Sequence, residues 1–199
     1  MNIKLSKKRD DSYFAAHRRK KRKTMTIIVP IIIAVVAIGV AVSVLYKPGT
    51  ALAIDGVECH SDEQVEFHQH AHLSVFVNGQ EQQVPGGIGI VSRPYSCFFW
   101  LHTHPNDPGF IHIEAPRPMT FTLGQFMNIW NQTNSDSKSF FSTISALPVK
   151  AYVADKSNEQ PQEFSGDPRN IQLKSQEQIV LVYGSPPTTI PSFDFKGRT

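Results

Sequence analysis

The stretch FHQHAHLSVFVNG, Phe67 to Gly79, alternates apolar residues with histidine and ends on Asn-Gly. Alternate residues of a strand share a face. Phe67, Ala71, Leu73 and Val75 therefore take one side, and His68, His70 and His72 the other. Asn78-Gly79 supplies the positive-φ pair of a tight hairpin, so the stretch predicts a half-buried strand, a turn and a return strand over Glu81–Val84.

Downstream, Pro85-Gly86-Gly87 breaks the pattern and Ile88–Val91 resumes an apolar run. Cys97–His104 (CFFWLHTH) reads as a strand, Pro105–Gly109 as a five-residue turn, and Phe110–Glu114 (FIHIE) as the strand back. Met119–Thr122 reads as a short strand. Leu123–Gln132 follows as the one main helix, with Leu123, Phe126, Met127 and Trp130 forming an apolar core stripe. Residues 133–139 read as a loop. Val149–Ala154, Asn170–Leu173 and Ile179–Tyr183 read as strands, with Gln160–Arg169 as a loop. The order of elements over 110–184 looks β-grasp-like. The fold class expected is α+β, with a mostly antiparallel or mixed sheet.

Upstream, the charge is divided. Ten Lys/Arg against Asp10 and Asp11 give residues 1–24 a charge of +8, while the rest carries −5. The basic excess thus belongs to a tail facing lipid headgroups, which argues against nucleic acid as a partner. Met25–Tyr46 is uncharged over 22 residues, enough helix to cross a hydrocarbon layer of about 30 Å. The cluster RRKKRK, Arg18–Lys23, orients it with the N-terminus cytoplasmic and the remainder outside. A cleaved signal sequence is the alternative, because Ala51-Leu52-Ala53 resembles a cleavage site. The chain divides into a basic tail (1–24), a transmembrane helix (25–46), a linker (47–56), a His-rich outer domain (57–184) and a Pro-rich tail (185–199). Outside the cytoplasm, Cys59 and Cys97 read as a disulfide; a thiolate ligand beside His60 is the rival. Asn131-Gln132-Thr133 is a glycosylation sequon.

Seven of the eight histidines lie between 60 and 112. With 105–109 as the turn, His104 faces Phe110 and His102 faces His112, and directly opposed residues share a face. His102, His104 and His112 then form a three-imidazole patch with Glu114 beyond it. His70 and His72 are the pair expected to approach it, with His68 and His60 peripheral. Three neutral imidazoles around an open position suit zinc. Copper also accepts imidazole, and two histidines with a carboxylate suit iron. A pH-sensing patch and a plain hydrogen-bonded network are the alternatives.

The HxHP run is similar to the core of zinc-dependent deubiquitinase-type metalloproteases, but Ile113 and Pro116 stand where that family needs Ser and Asp. The residues His68–Leu73, Val77-Asn78-Gly79, Pro85–Ile90, Cys97, Leu101–His104, Ile111–Glu114 and Thr122–Phe126 together resemble a group of membrane-anchored archaeal and bacterial proteins without an assigned activity. The resemblance spans about residues 57–184. In that group an Asp follows LHTH directly, whereas here Pro105-Asn106 precedes Asp107. Three functions follow as expectations: a tethered binder of zinc or copper, a hydrolase or lyase with Glu114 as proton shuttle, or a structural domain with an envelope protein partner.

Overall fold

The computed structural model describes residues 25–42, 52–92 and 96–197. The chain divides into two compact units, Met1–Thr50 and Ala51–Thr199. In the first, helix α1 (Met25–Val42) is long and apolar enough to cross a membrane. The expected span reaches Tyr46; residues 43–46 and the basic tail lie outside the described residues.

In the second unit the strands are β1 (Ala53–Ile54), β2 (Val57–His60), β3 (Phe67–Val77), β4 (Gln80–Gln82), β5 (Ile90–Val91), β6 (Cys97–Phe99), β7 (Leu101–His102), β8 (Phe110–Ala115) and β9 (Phe121–Thr122). Helices α2 (Leu123–Thr133) and α3 (Ser137–Ile144) follow, then β10 (Val149–Ala154), β11 (Gln162–Phe164), a 3-10 turn at Pro168–Asn170, β12 (Gln172–Leu173) and β13 (Glu177–Tyr183). The main sheet has the order β11-β10-β13-β3-β8-β7, with β4 also on β3. A smaller sheet runs β1-β2-β6-β5, and β9 pairs with β12.

The strand read first organises this arrangement. β3 has 11 residues. Its first half pairs antiparallel with β8 and its last three residues with β4. Along its other edge β13 runs parallel from Ala71 to Val77. One face of the sheet carries Ala71, Leu73, Val75, Ile111, Ile113, Ile179 and Leu181, all buried in one core with Phe126, Ile129 and Trp130 of α2. The opposite face holds the histidines at one end and a smaller apolar cluster, Phe76, Val180 and Val182, at the other.

α2 begins where a capping box closes. The Thr122 hydroxyl accepts from the Gln125 N–H, and the Gln125 amide oxygen accepts from the Thr122 N–H, which satisfies two of the free N–H groups of a helix start.

Several expectations need correction. There are two short helices in this unit, not one, because Phe140 and Phe141 pack on Trp130 at ring distances of 4.7 and 5.3 Å. The segment 160–169 is not simply a loop; it contributes β11, which pairs with β10. The linker 47–56 already contains β1, paired with β2. The unit expected over 110–184 is not self-contained, since its last strand is parallel to β3, which lies before it. The Pro-rich tail is not separate either: Phe195 is fully buried and Phe193 stacks on His72. CFFWLHTH is not one strand but breaks at Trp100. The Trp100 N–H donates to the Glu58 carbonyl of the small sheet, and the Trp100 carbonyl accepts from Glu114 of the large one. Trp100 is thus the joint between the two sheets. The expected disulfide is present: Cys59 and Cys97 are bonded across a separation of 38 residues, with Cα atoms 5.5 Å apart.

Candidate metal centre

β8 lies between β3 and β7, so two ladders set the rows of its outward face. One row reads His70, His112, His102 across the three strands. In the next, His68 faces Glu114. The predicted pairing of His102 with His112 is therefore the pairing observed. The predicted pairing of His104 with Phe110 is not, because Thr103 leaves the ladder. Its N–H donates to the Ile88 carbonyl and its carbonyl accepts from Gly87. His104 nevertheless returns, with its ring 4.3 Å from that of His112.

Two groups of ligand atoms result. His102, His104, His112 and Glu114 form one, and His68, His70 and His112 the other; within each, all the atoms lie within 4.8 Å of one another. His112 belongs to both. In the first group the rings of His102 and His112 stand 5.3 Å apart and nearly parallel, while His104 is close to perpendicular to both. In the second, His68 Nε2 lies 3.1 Å from His70 Nε2 and 3.2 Å from Glu114 Oε1.

Burial sets the chemistry. His102 is fully buried and donates from Nδ1 to the Phe99 carbonyl at 2.9 Å. That bond leaves the Nε2 lone pair pointing elsewhere, the arrangement that orients a ligating imidazole. Burial lowers the His102 pKa to about 4, with the neighbouring imidazoles adding to the effect against the Phe99 carbonyl and Glu114. The ring is therefore neutral, as a ligand must be. For Glu114, burial pushes the carboxyl pKa up. The bond from His112 Nδ1 at 3.3 Å and the nearby His102 and His68 rings outweigh it and hold the group below its usual value.

His102 Nε2, His112 Nε2 and Glu114 Oε2 are buried and have no hydrogen-bond partner. Leaving a buried polar atom unpaired costs about 1–3 kcal/mol, and these three lie in a cluster that could hold a metal ion. Neutral imidazole nitrogens and a carboxylate are the donor set of zinc or copper. Among the described residues no cysteine is free, so Cys59 offers no thiolate to an ion.

The remaining expected residues fall outside both groups. His72 lies beneath the C-terminal segment, 3.5 Å from Phe193 in a parallel ring stack, and burial lowers its pKa to about 4. His60 pairs with Glu58 at 2.9 Å and stacks on Trp100. The strand partner of the cluster is therefore the pair His68 and His70, not His70 and His72. Glu63 was not expected at all. Its Oε1 stands 3.5 Å from His104 Nε2 and 3.8 Å from His102 Nε2, at the more exposed side of the first group. It lies in the polar run Ser61–Gln64, where neither periodicity nor spacing marks it.

No family model, curated protein or solved structure matches this chain.

Proposed function

We propose that this protein is a membrane-anchored, extracytoplasmic binder of a transition metal, zinc or copper, held by His102, His104 and His112 with Glu114. The observation that carries the reading is the convergence of buried, unpartnered ligand atoms on one centre. A hydrogen-bonded network would satisfy those atoms. A proton-sensing patch would not need His102 fully buried and neutral. The apolar helix α1 and the disulfide support a domain outside the cytoplasm, with α1 as anchor and the basic tail against lipid headgroups. The order of β4 and β8 beside β3, with β13 parallel to β3 and followed by β10 and β11, supports a β-grasp-like topology that begins at Phe67 and not at residue 110.

The test is metal analysis of the detergent-solubilised chain, purified without a polyhistidine tag. The wild type should retain zinc or copper. His102→Ala and His104→Ala should each weaken binding by more than about 100-fold, beyond the loss typical of a supporting residue. Unchanged affinity in both variants would refute the site. The exposure of His104 and Glu63 favours a second reading, a hydrolase or lyase with Glu114 moving the proton. Turnover of an activated ester by the zinc-loaded chain, lost in Glu114→Gln at unchanged zinc content, would distinguish it.

A further inference from the structure

We infer that the His112 imidazole bridges two metal ions, one on the His102–His104 side and a second held by His68 and His70. The inference rests on the metal-binding reading above and extends it to a second ion.

The sheet geometry separates the two sides. His112 stands on the middle strand, with His70 on one flank and His102 on the other. Neighbouring strands are about 4.8 Å apart, so His70 and His102 are separated by roughly twice that distance at Cα. The His112 ring lies 4.6 Å from the ring of His70 and 5.3 Å from that of His102. It is the one residue common to both groups of ligand atoms.

Its two nitrogens diverge and meet different neighbours. Nε2 is buried without a partner. Nδ1 faces Glu114 Oε1, and that oxygen is also 3.2 Å from His68 Nε2. Nδ1 thus shares Glu114 Oε1 with His68, a member of the second group. There, His68 Nε2 and His70 Nε2 are 3.1 Å apart. The two nitrogens share a hydrogen bond at that distance, close to the roughly 3.3 Å that separates two nitrogens bound to one tetrahedral zinc at about 2.0–2.1 Å, so an ion can replace the shared proton with little movement of the rings.

A neutral imidazole has one lone pair and one N–H. Coordination at both nitrogens breaks the N–H bond and forms a second metal–nitrogen bond, and the proton passes to solvent without electron transfer. Glu114 Oε1 is the acceptor beside that nitrogen, and it is 3.2 Å from Nε2 of the partly exposed His68.

Copper(II) titration of the detergent-solubilised chain tests this, in a His17→Ala background that removes the one histidine of the basic tail. Two equivalents should bind. The doubly loaded sample should lose most of its copper paramagnetic resonance signal, because two spins couple across a bridging imidazolate. His70→Ala should hold one equivalent with full signal, and His68→Ala, at a more exposed position, should do the same if the first variant fails to fold. One equivalent in the wild type overturns the bridge and leaves a single site standing, and two with undiminished signal overturn it in favour of two separate sites. No bound copper or zinc in the wild type overturns the metal reading itself.

Discussion

At the scale of single residues, one hydrogen bond decides what His102 can do. Donation from Nδ1 to the Phe99 carbonyl commits that nitrogen and frees the other, inside a fully buried ring. Glu177 shows the opposite use of burial. It begins β13, 2% exposed, and its Oε2 accepts from the Lys174 N–H at 3.0 Å. Burial raises its pKa to about 7 against the opposing influence of Lys174. The folded state therefore keeps a proton that the unfolded chain, with a carboxyl pKa near ~4.3, gives up earlier. The stability tied to that proton is fully present below about pH 4 and is lost as pH rises through about 7. Glu177→Gln should raise the unfolding free energy by about 1–2 kcal/mol at pH 8 and leave it nearly unchanged at pH 4. Urea unfolding at the two pH values checks this, and an equal effect at both would contradict it.

At the scale of elements, the glycine-rich loop before β5 acts as a splint for the ligand-bearing segment. The Gly87 N–H donates to the Thr103 carbonyl, and the Gly89 carbonyl accepts from Phe99. Gly89 has φ of +73°, and a Cβ there would meet the Leu101 carbonyl oxygen at 2.4 Å and His102 Cβ at 3.0 Å. Gly89→Ala must push β7 away, so metal affinity should fall at least tenfold while His102 itself is intact; metal titration alongside circular dichroism separates this from global unfolding. β3, the Asn-Gly turn, β10 and the opposition of His102 to His112 were legible in the sequence, because alternation and turn length fix local register. α3 was hidden because its first residues, Ser137–Ser139, are polar and its apolar side chains, the partly buried Phe140 and Phe141 and the buried Ile144, come late. The exchange of His72 for His68 was not legible. Both occupy the same face at the same spacing, and the choice is made by Phe193, more than a hundred residues away, covering one of them. Glu63 likewise reaches the site through tertiary packing alone.

At the scale of the whole molecule, the small sheet and the large one are joined through Trp100, and the disulfide staples β2 to the start of β6 just before that joint. In the chain-entropy description a loop of this length contributes about 4 kcal/mol. Reduction should lower the unfolding free energy by about 2–4 kcal/mol and weaken metal binding, since the Phe99 carbonyl that orients His102 sits on the stapled strand. Denaturant titration and metal affinity, each with and without reductant, measure both effects; identical curves would show that the crosslink constrains nothing. The parallel placement of β13 against β3 has a consequence for the order of biosynthesis. Every histidine of the cluster leaves the ribosome more than sixty residues before the strand that completes the edge of β3. Until then that edge is an open template for foreign strands. The nascent chain therefore carries the histidine cluster on an unfinished scaffold. On the proposed metal-binding reading, loading with an ion follows the closure of that edge by β13.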